Sequence, residues 1–160
     1  MGINLLKKKQ RIILAYKLPS QYLNKGDIIG KKLDDFEFLQ YLGRGSYGFV
    51  AKVKSKINGQ IYALKNNEMK KMGVDVRQKF ENEILFMNFF NHPNVCNCLT
   101  SFVENGNYYL IMDYYNNKDL YRYLSAYIKL KTKISEEVLW EVFNQCLNGL
   151  LYIHNQGVIH

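Results

Sequence analysis

At 160 residues, 48% of them apolar and 22% charged, the chain has enough material for one packed domain and is too apolar to be disordered throughout. No run approaches the roughly 18 apolar residues of a membrane-spanning helix. The formal charge of +8 is uneven: residues 1–32 carry +7 and the remaining 128 carry +1. That argues against a nucleic-acid-binding body, which would carry its own basic face.

The basic segment comes first. Lys7-Lys8-Lys9-Gln10-Arg11 precedes Ile12-Ile13-Leu14-Ala15-Tyr16. Residues 1–33 read as a leader: a flexible or loosely docked extension, or alternatively a basic amphipathic segment that docks on an acidic surface. Gly2 does not make a myristoylation signal, because Leu6 stands where Ser or Thr is required. A secretory signal is disfavoured because Tyr16-Lys17 breaks the apolar run and no small-residue cleavage site follows. Pro19 and Gly26 interrupt the leader before the domain begins. The cysteines, Cys96, Cys98 and Cys146, form no disulfide framework, and the C-x-C pair lacks a second pair for a four-sulfur metal site. They fit packed, reduced thiols in an intracellular protein, and no metal site is expected in this chain.

Phe36 to Leu42 is aromatic-rich and loosely alternating, a strand pattern. Leu42-Gly43-Arg44-Gly45-Ser46-Tyr47-Gly48-Phe49-Val50 follows, a Gly-x-Gly-x-x-Gly-x-Val loop. Phe49 to Ser55 reads as the returning strand, Asn58-Gly59 as a hairpin turn, and Ile61 to Lys65 as a third antiparallel strand. Glycines at 43, 45 and 48 would let backbone close over phosphate oxygens, and Val50 would lie against a planar base. Dinucleotide folds share the glycine spacing, but there it opens directly into a helix. Here a strand follows, which sets an oxidoreductase reading aside. Lys65, 15 residues after Val50, is placed as a point charge for the α and β phosphates. Small Ala63 would leave room for the base.

Val74 to Phe90 shows Phe80, Ile84 and Met87 at helical spacing. Glu81 and Glu83 compete as the partner of Lys65; Glu83, immediately before Ile84-Leu85, is preferred. His92-Pro93-Asn94 ends the helix, with His92 structural. Strands at Cys98–Phe102 and Tyr108–Asp113, joined through Glu104-Asn105-Gly106-Asn107, complete a five-stranded antiparallel sheet with one long helix, an α+β fold. Met112 would form the back wall of an apolar pocket. Asp113-Tyr114-Tyr115 would be an extended connector meeting the base edge. Asp119 opens a short helix as a cap, or reaches a ribose or substrate. Tyr121, Leu124 and Ile128 are placed inward on that helix. Ser135 caps a long helix from Glu136 to about His154 with an apolar stripe, and Val158-Ile159-His160 reads as the start of a strand.

Taken together these motifs resemble the first half of a eukaryotic protein kinase domain, most closely the NIMA-related serine/threonine kinases, over about Phe36 to His160. The resemblance implies a nucleotide-binding lobe at 34–115 and the start of a helical lobe at 116–160. It carries the glycine-rich loop onto Gly43, Gly45, Gly48 and Val50, flanked by Leu42 and Ser46, and the strand lysine onto Lys65. The helix glutamate falls on Glu83, the gatekeeper on Met112, and the connector on Asp113, Tyr114 and Tyr115. His160 matches the first residue of the catalytic loop. It also implies ATP, Mg²⁺ in the full-length parent, and a protein serine or threonine as acceptor. It implies a cytoplasmic setting, with cytoskeleton, basal body or cilium as places of action. Asn117 and Lys118 stand where the family often has two glycines before Asp119. The catalytic-loop aspartate and the metal-binding residues are expected beyond His160, so the 160 residues are expected to be inactive by themselves, with the rest of the domain or a partner covering helix 136–154. The alternative is a half-kinase serving as a structural component of an assembly, docked by its basic leader on an acidic filament such as a microtubule.

Overall fold

The computed structural model of the protein describes residues 26–117 and 119–159, without the side chains of Glu83 and Leu85. The basic leader up to residue 25, Lys118 and His160 lie outside the described residues.

Five strands form one antiparallel sheet: β1 (Phe36–Arg44), β2 (Gly48–Ser55), β3 (Ile61–Glu68), β4 (Cys98–Glu104) and β5 (Asn107–Asp113). Their order is β1-β2-β3-β5-β4. A short helix, α1 (Gly26–Ile29), precedes the sheet. Helix α2 (Val74–Phe89) links β3 to β4, and α3 (Leu120–Leu130) and α4 (Glu136–Asn155) follow β5. The expected α+β architecture is the one found: five antiparallel strands with the long helix α2, followed by further helices.

Turn chemistry makes the hairpins. Gly59 takes φ +73°, as the Asn58-Gly59 signal requires. Asn105 and Gly106, with φ of 50° and 73°, make the two-residue link between β4 and β5. Both central residues of such a turn need positive φ, which Asn and Gly reach at least cost.

The two-residue period of the strands sorts side chains onto two faces. On one face Ala51, Val53, Tyr62, Leu64, Tyr109 and Ile111 form a core with Ile29 and Phe36. On the other, Leu110 and Cys98 pack with Met72, Phe80 and Ile84. Burial pushes the Cys98 thiol up to about 12, so this sulfur behaves as a small apolar group.

The last part of the expected leader belongs to this core. Ile29 is buried, its carbonyl accepts from the Ser55 hydroxyl at 2.5 Å, and the Leu33 amide donates to Glu104 at 2.8 Å. An Ile-Ile pair in a basic context reads as leader because its burial depends on strands that come later in sequence.

The helices beyond the sheet follow their caps. Asp119 accepts from the Arg122 amide at 2.8 Å, and Ser135 from the Val138 amide at 3.5 Å. On α3, however, Tyr121 and Ile128 are exposed, and of the three residues placed inward Leu124 alone is half-buried. The inward placement of Tyr121 and Ile128 fails because no described element packs over that face. Val158 and Ile159 form no strand, since no described strand lies beside them. Helix α4 docks on the His92-Pro93-Asn94 turn. His92 stacks on Tyr152 at 4.9 Å, and Gly149 lies against the Asn94 carbonyl, where a Cβ would come within 2.8 Å. The structural role expected of His92 is the one observed. Leu139, Phe143, Leu147 and Leu151 along α4 remain exposed.

Candidate nucleotide-binding site

Strand register assembles the site. Val50 pairs with Lys65 across β2 and β3, and Lys65 with Leu110 across β3 and β5. Ala63 pairs with Lys52 on one side and Met112 on the other. Directly paired residues share a face. Val50, Ala63, Lys65 and Met112 therefore line one face of the sheet, opposite the core that holds Ala51, Val53 and Leu64.

The glycine-rich turn lies at one end of this face. The strands extend into it: Gly43 belongs to β1 and Gly48 to β2, leaving Gly45, Ser46 and Tyr47 as the connection. The Gly45 amide donates to the Gly48 carbonyl at 2.9 Å and closes it. None of the three motif glycines has positive φ, so conformational freedom is not what the fold asks of them here. Gly48 is required by close approach instead: a Cβ there would sit 2.0 Å from the Asn66 carbonyl oxygen. A Cβ on Gly43 or Gly45 would meet nothing within 4 Å among the described residues. Those two positions are free of side chains without any demand from the protein's own packing, which fits backbone that approaches a ligand.

These facts separate two substitutions of the same chemistry. Gly48→Ala is expected to destabilise the domain by about 1–3 kcal/mol through forced displacement of β3. Gly45→Ala is expected to leave the urea midpoint nearly unchanged while weakening nucleotide binding. Equal urea midpoints for the two variants would contradict the close-approach explanation.

Beneath the turn is a cavity of about 330 Å³. Gly45, Ser46, Gly48, Val50 and Lys65 line it as the sequence suggested, and Asn67, Met72, Lys79 and Phe80 join them. The Lys65 ammonium lies 6.0 Å from the centre of the Phe80 ring, so it points toward α2. Position 83 is one turn beyond Phe80 on that helix. The side chain of Glu83 lies outside the described residues. Its rival Glu81 is engaged elsewhere: it accepts from the Tyr108 hydroxyl and pairs with Arg77 at 3.2 Å. The Tyr108 hydrogen bond first, and Arg77 second, hold the Glu81 carboxyl below its usual range.

The other expected residues lie outside that cavity. Leu42 is half-buried on β1, Asp113 is exposed at the end of β5, and Tyr115 is 65% exposed in the connector. Asp119 is committed to its cap and to Arg122, whose Nε is 3.5 Å away. Sequence reasoning missed Lys52, whose ammonium sits 4.6 Å over the ring of Tyr114. It also missed Asn67, although the period of two from Lys65 puts both on one face. Among the described residues no cluster of His, Cys, Asp or Glu could hold a metal ion, and no helix is long and apolar enough to cross a membrane.

Comparison with known proteins agrees with this arrangement. The family model described as protein kinase domain matches residues 36–160. The chain is similar to serine/threonine-protein kinase Nek1 of Mus musculus, 29% identical over 128 residues that make up 80% of the chain and 10% of the relative. It is similar to serine/threonine-protein kinase PLK4 of Danio rerio, 33% identical over 134 residues, 82% of the chain and 14% of the relative. It is also similar to the Aurora kinase of Saccharomyces cerevisiae, 29% identical over 129 residues, 80% of the chain and 34% of the relative. The chain thus spans between a tenth and a third of the length of these relatives. The family model covers most of the chain, and the chain belongs to the protein kinase domain family.

Proposed function

We propose that these residues form the nucleotide-binding part of a serine/threonine protein kinase. The observation that carries the reading is the register that sets Val50, Ala63, Lys65 and Met112 on one sheet face beside the glycine turn. ATP, when bound, supplies the γ-phosphoryl group for a serine or threonine hydroxyl of a protein substrate. Gly43, Gly45, Ser46 and Gly48 cover the phosphates, and Lys65 neutralises the α and β phosphates with Glu83 holding it in place. Leu42, Val50, Ala63 and Met112 enclose the base, and backbone at Asp113 and Tyr115 meets its edge. Asp119 borders the ribose while capping α3. No residue of this chain is assigned to the metal; in the whole protein Mg²⁺ is held by other residues.

In this reading the remainder of a kinase domain covers the exposed stripe of α4. The basic leader is a flexible or loosely docked extension, and the setting is cytoplasmic or cytoskeletal. The 160 residues bind nucleotide but transfer no phosphoryl group alone. The test is a pair of measurements: ATP binding by the 160-residue chain, and phosphate transfer to a serine-containing protein by the chain and by the whole protein. Binding by the chain with transfer only by the whole protein is expected. Failure of the whole protein to transfer phosphate rules out the kinase reading.

A further inference from the structure

One residue lining the cavity carries a polar group that the described residues leave unused. Asn67 is only 4% exposed, lines the cavity, and its Nδ2 has no hydrogen-bond partner among the described residues. A buried amide without a partner is a cost that a leucine of the same shape would avoid. Asn67 pairs with Gly48 across β2 and β3, so it lies directly beneath the glycine turn and on the same face as Lys65. Lys79, on the exposed side of α2, lines the same cavity. Among the described residues no carboxylate lines this cavity. Two lysines, a serine and an asparagine whose amide donor is unused thus line one space, and no described acid competes for them.

We infer that Asn67 and Lys79 form a phosphate-binding subsite: the Asn67 amide donates to an oxygen of the outer phosphates of a bound polyphosphate, and Lys79 supplies charge at the rim. Nδ2 is shielded as the side chain now lies. The broad torsion at the end of an asparagine lets the amide turn its donor toward the cavity without moving the strand. The inference rests on the nucleotide reading above for the identity of the polyphosphate, and on the cavity alone for its charge.

The experiment measures binding of ATP, adenosine and inorganic tripolyphosphate to the full chain and to its Asn67→Leu, Asn67→Ala and Lys79→Gln variants. Loss of one hydrogen bond to a charged oxygen weakens binding by about tenfold to a hundredfold. Asn67→Leu is expected to weaken ATP and tripolyphosphate by that factor, leave adenosine unchanged and hold or raise the melting temperature. Asn67→Ala covers the case in which leucine does not fit. Lys79→Gln, on the surface, is expected to weaken the two phosphate ligands and reduce their salt dependence. If the Asn67 variants bind ATP and tripolyphosphate as the unaltered chain does, the subsite is overturned and the nucleotide reading stands. If tripolyphosphate binds through Asn67 while neither ATP nor adenosine binds, the nucleotide reading falls and the subsite stands. A chain that takes up neither ATP nor tripolyphosphate overturns the subsite.

Discussion

Lys65→Met is expected to lower phosphoryl transfer by the whole protein by about two to three orders of magnitude, the usual loss when one donor to transition-state charge is removed. The lysine sits mid-strand between Val50 and Leu110, and its ammonium reaches toward α2 beside the cavity. Among the described residues no carboxylate forms an ion pair with it. Methionine keeps much of the apolar stem that packs near Phe80 and removes only the charge. Stability should therefore change little, and the loss should fall on ATP affinity and turnover. Paired measurements of kcat/KM and melting temperature check this. Unchanged kcat/KM would remove Lys65 from the phosphate site; a collapse in melting temperature would make it a structural residue.

Ile111→Ala carries the largest expected effect on stability, about 2–5 kcal/mol. Ile111 is fully buried and lies between Leu64 on β3 and Thr100 on β4, so the truncation leaves a cavity in the middle of the sheet's core. A small domain has only about 5–15 kcal/mol in total. With a urea slope of about 2 kcal/mol/M, the midpoint falls by roughly 1–2.5 M. Ile111→Val, which deletes one methylene, should cost about 0.5–1.5 kcal/mol. Val74→Ala, at an 83% exposed position, should move the midpoint very little. Equal shifts for Ile111→Ala and Val74→Ala would mean that the core is not where the sheet places it.

How much of this was legible in the chain differs from element to element. The hairpins were legible because Asn58-Gly59 and Asn105-Gly106 satisfy a local backbone demand that few other residues meet. The caps at Asp119 and Ser135 were legible for the same reason, since a side-chain oxygen reaches an amide three residues on. The strand lysine and the glycine turn were legible because their spacing along the chain is their spacing in the sheet. The fate of Ile29 was not, because its burial depends on β2 and β4, which come later in the chain.

The two glutamates of α2 show the boundary well. Sequence could offer only Glu81 and Glu83 as candidate partners of Lys65. Only packing could say that Glu81 is taken by Tyr108 and Arg77, because Tyr108 arrives from β5, 27 residues away.

The sequence by itself therefore determined the five strands, the helix between β3 and β4, the turns and the glycine–lysine spacing, all of which rest on interactions between near neighbours in the chain. Tertiary structure decided what each motif residue is for. Gly48 is small because the Asn66 backbone crowds it, whereas Gly45 borders open space. The Asn67 Nδ2 is buried without a partner among the described residues in the space that β2, β3 and α2 line. Close approach and burial are set by segments far apart in sequence, and no local pattern encodes them.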